Sequence, residues 1–345
     1  MLIYRRMMIK KETFEGDINK TSNKWYKPTI DKETLRELSQ RSDLPGWKHV
    51  IIFLAALLGL GILCCQLWGT WWFLPIYLCY CTMWGGADAI WHECGHRTAF
   101  KSRRLNDFFY YIASFMNNFE PVRWRASHAL HHNYTASIDP HDFEVEGSIF
   151  WVPKNLLNFF IIFIPGISLL FLHKSLYREI LEHAFALETR VMRECIPDAK
   201  KKSCIWMSRL FVALWLAIIA FSFLVGSLLP IFLLLIPKCF ATLNIVWGLT
   251  QHIGLKEDVK DHRLSTRSVR LNPIASFIYW SMEYHIEHHM FPSVPSYNLP
   301  RLHEALKDQL PRSLSLIEAY REIIPAIIKK SKDPNYYIPV EVPSA

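Results

Sequence analysis

The sequence predicts an all-α membrane protein: four transmembrane helices in two hairpins plus an interfacial helix, with a cytosolic helical cap that carries three histidine clusters. Three observations predict this. Charged and apolar residues are segregated into blocks, which suits a bilayer better than a soluble globule. Four apolar runs approach the ~20 residues that cross a bilayer, and they fall in two closely spaced pairs. The histidine clusters all lie in polar segments that a parity argument puts on one side.

Residues 1–48 form a cytosolic N-terminal segment, polar and rich in charge. It lacks the short apolar core and small-residue site of a cleavable signal peptide, so the chain is expected to begin in the cytosol. Eleven Lys/Arg lie between Arg5 and Lys48, whereas the link near Thr70 has none. That asymmetry marks the cytosolic face and anionic lipid, and it accounts for the net charge of +8 without nucleic acid.

The membrane domain is expected over residues 49–330. Its first two runs, 49–67 and 71–87, are joined by a Trp-rich link suited to the far interface. The second pair, 205–229 and 231–249, meets at Pro230, and no charge occurs between Leu210 and Pro237. A fifth apolar stretch, 150–172, is split by Pro165-Gly166 into pieces too short to span, which makes it an interfacial or re-entrant helix. Residues 88–149, 173–204 and 251–345 then share the cytosolic side with the N-terminus. The tail, 331–345, is Pro-rich and expected to be irregular. The eight cysteines show no zinc-type pairing and read as reduced thiols that pack as small hydrophobes.

The chain has 15 histidines, eight of them in the clusters His92-Glu-Cys-Gly-His96, His128-Ala-Leu-His131-His132 and His285-Ile-Glu-His288-His289. On a helix, positions i, i+3 and i+4 share a face, so each cluster points two or three imidazoles at one place. One such pair is a weak signal; three on one side of a membrane are not. Burying that many imidazoles without partners costs several kcal/mol each, on the order of a lost hydrogen bond or more, and metal ligation removes the cost. Imidazole suits zinc, copper and iron. Zinc is satisfied by three or four ligands, whereas eight or more fit two metals, and among two-metal sites iron with open positions suits oxygen chemistry.

These boxes, H-x3-H, H-x2-H-H and H-x2-H-H, resemble those of the membrane fatty acid desaturase and hydroxylase superfamily, in its order and with its two hairpins. The continuation Met290-Phe-Pro-Ser-Val-Pro and Leu299-Pro-Arg-Leu-His303 is similar too, and the resemblance covers about residues 47–310. It implies two iron ions held by the eight box histidines and by His252, which takes the place of a further ligand after the last span. The alternative reading of His252, the less favoured one, is a cytosolic histidine capping a helix end. Some relatives carry an Asn one turn before it, where this chain has Gly248; Gln251 or Asn244 are stand-ins for that amide. Asp88, one turn before His92, is placed to hold the outer nitrogen of a ligand histidine. Glu93 and Glu287 are candidates for the same service, and each of these three acids reads equally as an ordinary solvated one. His141, His173, His183, His262 and His303 fit no box.

The resemblance further implies an O2-dependent oxidoreductase that desaturates a fatty acyl chain, with no catalytic side chain separate from the metal ligands. The alternative is a hydroxylase or oxidative demethylase acting on a non-fatty-acid substrate, and a remoter one is a non-catalytic membrane metal-binding protein. The polar cluster Asp139, His141, Asp142, Glu144 and Glu146 would line a site for a small cationic or hydroxylated substrate, or form a solvated loop. No haem motif or iron–sulfur framework is present, so electrons must come from a separate cytochrome b5 or ferredoxin with its reductase, docking on the basic face. The protein is expected to be integral and multi-pass, in a bacterial inner membrane or the endoplasmic reticulum.

Overall fold

A computed structural model of the chain describes residues 25–137, 142–144, 155–174 and 176–343. The described chain is mostly helical, with one two-stranded parallel sheet. Residues 1–24 and 150–154, together with Asp139, His141 and Glu146, lie outside the described residues, as do the side chain of His173 and the last two residues.

Helix α1 (Lys32–Leu38) starts at Asp31, whose carboxylate accepts the Thr34 N–H at 2.8 Å. Helix α2 (Asp43–Leu67) is uncharged beyond Lys48 and ends at the Trp68 link. It begins pressed against the chain after the first histidine box: a Cβ at Gly46 would lie 2.5 Å from the Ala99 carbonyl oxygen and 2.7 Å from the Phe100 ring. Helices α3 (Phe73–Gly85) and α4 (Ala87–His96) are separated only by Gly86. Helices α5 (Arg103–Asn117) and α6 (Pro121–Asn133) fold back over α4.

Later in the chain, α7 (Leu156–Ile161) and a 3-10 helix (Ile167–Lys174) flank Pro165-Gly166, where Gly166 takes φ +79°. The fifth apolar stretch is therefore broken where the sequence says it should be. Then come α8 (Leu176–Ala184), α9 (Arg190–Glu194) and α10 (Asp198–Leu224). Among the described residues α2 and α10 are the two helices long and apolar enough to cross a membrane. Only 17% and 22% of their apolar windows are buried, the reverse of a soluble core helix and a fit to lipid.

The other two expected spans differ from their prediction. Run 71–87 is the 13-residue α3, prolonged without a loop into α4. Run 231–249 is three short helices, α11 (Leu229–Leu234), α12 (Pro237–Phe240) and α13 (Thr242–Gly248). Pro237 is the physical reason, because it has no N–H to donate to Leu233 O one turn back. Tyrosines of α3 fill the vacated acceptors: Tyr80 Oη donates to Leu233 O at 2.7 Å and Tyr77 Oη to Phe232 O at 2.8 Å. The turn between α10 and α11 is also displaced from its expected place at Pro230. It is made at Gly226 (φ +63°), and Pro230 lies in the first turn of α11, where a missing N–H costs nothing.

The C-terminal third holds α14 (His262–Ser265), β1 (Val269–Arg270), α15 (Pro273–Tyr279), α16 (His285–Met290), α17 (Leu299–Leu306), β2 (Leu314–Ser315) and α18 (Leu316–Lys332). A Ser315–Glu318 capping box starts α18. Among its described residues the tail after Lys332 has no helix, yet it is tied down: Ile338 N donates to Gly254 O at 2.7 Å, and its side chain packs with Leu255 and Ala326.

Candidate metal centre

Each histidine box is closed locally by the residues around it. Helix α4 ends at His96 because Arg97 turns left-handed (φ 60°), with Arg97 and Thr98 N–H groups capping the Cys94 and Glu93 carbonyls. Helix α6 starts at Pro121, with buried Glu120 accepting the Val122 and Arg123 N–H groups. Helix α16 has no side-chain cap of its own; Ser268 Oγ accepts its Ile286 N–H at 3.0 Å from another segment.

The fold gathers nine histidines into two groups. One is His92, His96, His128, His132 and His288; the other is His131, His252, His285 and His289. Within each group the candidate ligand atoms lie within 4.8 Å of one another. Helical spacing makes the division: His128 and His132 sit one turn apart on α6 and face the first group, while His131 is rotated toward the second. On α16, His285 and His289 pair in the same way and His288 crosses over. These are the nine residues expected as ligands.

Their ring nitrogens point at each other. Nε2–Nε2 separations are 2.7 Å for His96–His128, 3.2 Å for His128–His132 and for His132–His288, and 3.1 Å for His252–His285 and for His285–His289. The outer nitrogens are held from behind. His128 Nδ1 meets Glu144 Oε2 at 3.0 Å, His131 Nδ1 meets Asp142 Oδ2 at 2.8 Å, and His252 Nδ1 meets Ser265 O at 2.9 Å. Thr135 Oγ1 lies 3.2 Å from His289 Nδ1, and the Gln251 amide lies 3.3 Å from His285 Nδ1. A carbonyl or carboxylate only accepts, so His128, His131 and His252 carry a proton on Nδ1, and in the neutral form each turns a bare Nε2 lone pair inward. Lone pairs converging from several rings repel unless a cation lies between them. Both ring nitrogens of His92 also lack a hydrogen-bond partner among the described residues. This donor set fits metal ions.

Protonation follows the same logic. Burial, reinforced by neighbouring imidazoles, holds His96, His132, His285, His288 and His289 well below the usual histidine range, in the neutral form that ligates. His252 is lowered to about 4, chiefly by burial. His131 is the exception: burial pulls it down, but the carboxylates of Glu144 and Asp142 outweigh that and raise it to about 9.

The acids expected behind the ligands are placed otherwise. Asp88 pairs with Lys238 Nζ at 3.4 Å, because the break at Pro237 brings α12 over it. Glu287 is fully buried but takes Ser268 Oγ at 2.7 Å and His303 Nδ1, not a ligand histidine. Glu93 accepts Thr98 Oγ1 at 2.9 Å and Ser296 N at 3.0 Å, leaving its other oxygen 3.7 Å from His92 Nδ1. The carboxylates that do touch ligand histidines, Asp142 and Glu144, belong to the polar cluster read as a substrate site or solvated loop; both are buried. Of the histidines outside the boxes, His262 stacks on Trp25 and lies 5.0 Å, ring to ring, from His289, while His183 is buried beside Thr189.

A cavity of about 690 Å3 opens beside both groups, touching His92, His128, His131, His252 and His285. Its walls are largely apolar, with Trp91, Trp247, Ile278 and Met282 among them, and Glu257 and Lys330 pair at one end.

A family model described as fatty acid desaturase matches residues 66–320. No curated protein matches the chain.

Proposed function

Because the chain belongs to the fatty acid desaturase family, we propose that it is a membrane di-iron oxidoreductase that uses O2 and external electrons to desaturate a fatty acyl chain. The family implies an oxidoreductase of the desaturase or hydroxylase type, generally membrane-bound. The observation that carries the finer reading is the double group of nine clustered imidazoles beside a largely apolar cavity, with five of them on its wall.

His92, His96, His128, His132 and His288 would hold one iron, and His131, His252, His285 and His289 the other. Bound there, the irons would supply the activation of O2 that removes hydrogen from an unactivated C–H bond. The chain's own residues do the rest. Glu144, Asp142 and the Ser265 carbonyl fix the tautomers, Trp91 and Trp247 help form the apolar wall, and the cavity lays a substrate along the imidazoles. Electrons would come from a separate cytochrome b5 or ferredoxin. In this reading α3–α4 and α11–α13 complete two hairpins with α2 and α10, and the histidine cap and termini are cytosolic.

Feeding deuterated fatty acids to expressing cells tests the reaction. New double bonds that vanish in His288→Ala are the expected result; an unchanged acyl profile rejects desaturation. A second reading, hydroxylation or oxidative demethylation of a substrate with a polar group, is favoured by one feature. The Asn244 amide oxygen, on the cavity wall, is buried without a hydrogen-bond partner among the described residues. Oxygen-dependent loss of a polar compound with no acyl change would select it.

A further inference from the structure

Arg123 lies outside the histidine groups and is completely buried on α6, two turns before His131. A buried guanidinium is costly unless its donors are used, and here they are shared among three elements. Nε pairs by charge with Glu179 Oε1 of α8 at 2.8 Å without hydrogen-bond geometry, Nη1 donates to Ser127 Oγ at 2.9 Å, and Nη2 donates to the Phe143 carbonyl at 3.2 Å and to Glu179 Oε2 at 3.5 Å. Its carbon face lies 4.1 Å from the Trp124 ring centroid.

The bond to Phe143 has a particular consequence. Phe143 stands between Asp142 and Glu144, and these two carboxylates serve different histidine groups: Glu144 takes His128 of the first, Asp142 takes His131 of the second. Asp142 is also knotted to its surroundings, accepting Ala136 N at 2.9 Å and Glu144 N at 3.1 Å. Three residues thus support one imidazole in each group, and the guanidinium is a side-chain anchor on the peptide between the two acids.

We propose that Arg123 is a positioning residue for both metal sites, acting through the Phe143 carbonyl to hold Glu144 and Asp142 on His128 and His131. The inference rests on the di-iron reading above. It implies that a single buried arginine, which contacts no ligand, sets the affinity of both sites together.

The test is iron binding by detergent-purified full-length protein, stripped with chelator and retitrated anaerobically with Fe2+ against a competing chelator. Arg123→Gln should weaken binding by about 10–100-fold, the usual effect of losing an outer support of a ligand histidine. Arg123→Lys keeps a charge for Glu179 but not the fork to Phe143; it should fold by size-exclusion and still bind weakly, which covers failure of Arg123→Gln to fold. Glu179→Gln leaves the Phe143 bond in place and should stay within about twofold of the parent. In an Asp142→Asn/Glu144→Gln background the Arg123 changes should add less than about twofold, because the acids they act through are gone. Mössbauer spectra of the reloaded Arg123→Lys protein should show both iron environments altered. Full affinity in both Arg123 variants, equal loss in Glu179→Gln, or full additivity with the acid variants overturns the positioning role. A parent protein that binds no iron overturns the di-iron reading instead.

Discussion

Ser268 offers a sharp test of how the third histidine box is held. It is 3% exposed, and its hydroxyl makes two bonds to α16: it donates to Glu287 Oε2 at 2.7 Å and accepts the Ile286 N–H at 3.0 Å. Ser268→Ala removes both. A hydrogen bond to a charged group contributes about 1.5–3 kcal/mol, and a buried N–H left without a partner costs about 1–3 kcal/mol. Partial relaxation of so short a helix brings the expected loss to about 3 kcal/mol, against about 1 kcal/mol for a half-buried helix cap such as Ser315. At about 2 °C per kcal/mol for a long chain, the midpoint of thermal unfolding should fall by about 6 °C in Ser268→Ala and by about 2 °C in Ser315→Ala. Far-ultraviolet circular dichroism of the metal-stripped protein in detergent measures both without interference from iron. A Ser268→Ala shift no larger than that of Ser315→Ala would refute the claim that this hydroxyl caps α16.

Purified protein should contain two irons per chain, and His288→Ala about one; stoichiometric zinc, or no metal after gentle purification, would contradict the centre. In a background lacking the exposed Cys65 and Cys79, cysteines placed at Asn133 and Arg301 should label from one side of the membrane and one at Thr70 from the other; labelling of Asn133 and Arg301 from opposite sides would break the two-hairpin topology. Burial raises Glu120 to about 7 from its ordinary 4.5, with the Arg123 amide opposing. The folded protein then keeps a proton that the unfolded chain releases, so Glu120 subtracts stability as pH rises from about 4.5 to 7. Glu120→Gln should lose that part of the slope, read as the difference between the two proteins' unfolding midpoints across the window.

The histidine boxes were legible because helical spacing is a local property: His128 and His132, one turn apart, declare one face, although the rotation of His131 toward the second group went unread. The outer supports were not, because nothing periodic links them to the rings. Asp142 and Glu144 return to α6 from a loop 11 and 16 residues downstream. The Ser265 carbonyl that fixes His252 belongs to the backbone and has no signature at all. Asp88 looked well placed by helical register, but Lys238, 150 residues away, holds it instead. The expected spans show the same division. Apolar length identified α2 and α10, whereas the broken course of residues 229–248 depends on Pro237 together with tyrosines of α3 that take up the freed carbonyls.

The close approach at Gly46 sets a rule for anyone recombining this chain with relatives. The first residues of α2 and the Ala99-Phe100 segment beyond the first box touch where only a hydrogen fits. A chimera joined in the link near Thr70 would inherit position 46 from one parent and positions 99–100 from the other, and an alanine at 46 would drive α2 and the end of α4 apart. Exchangeable blocks therefore begin after Phe100, and the N-terminal hairpin travels with the first box as one cassette.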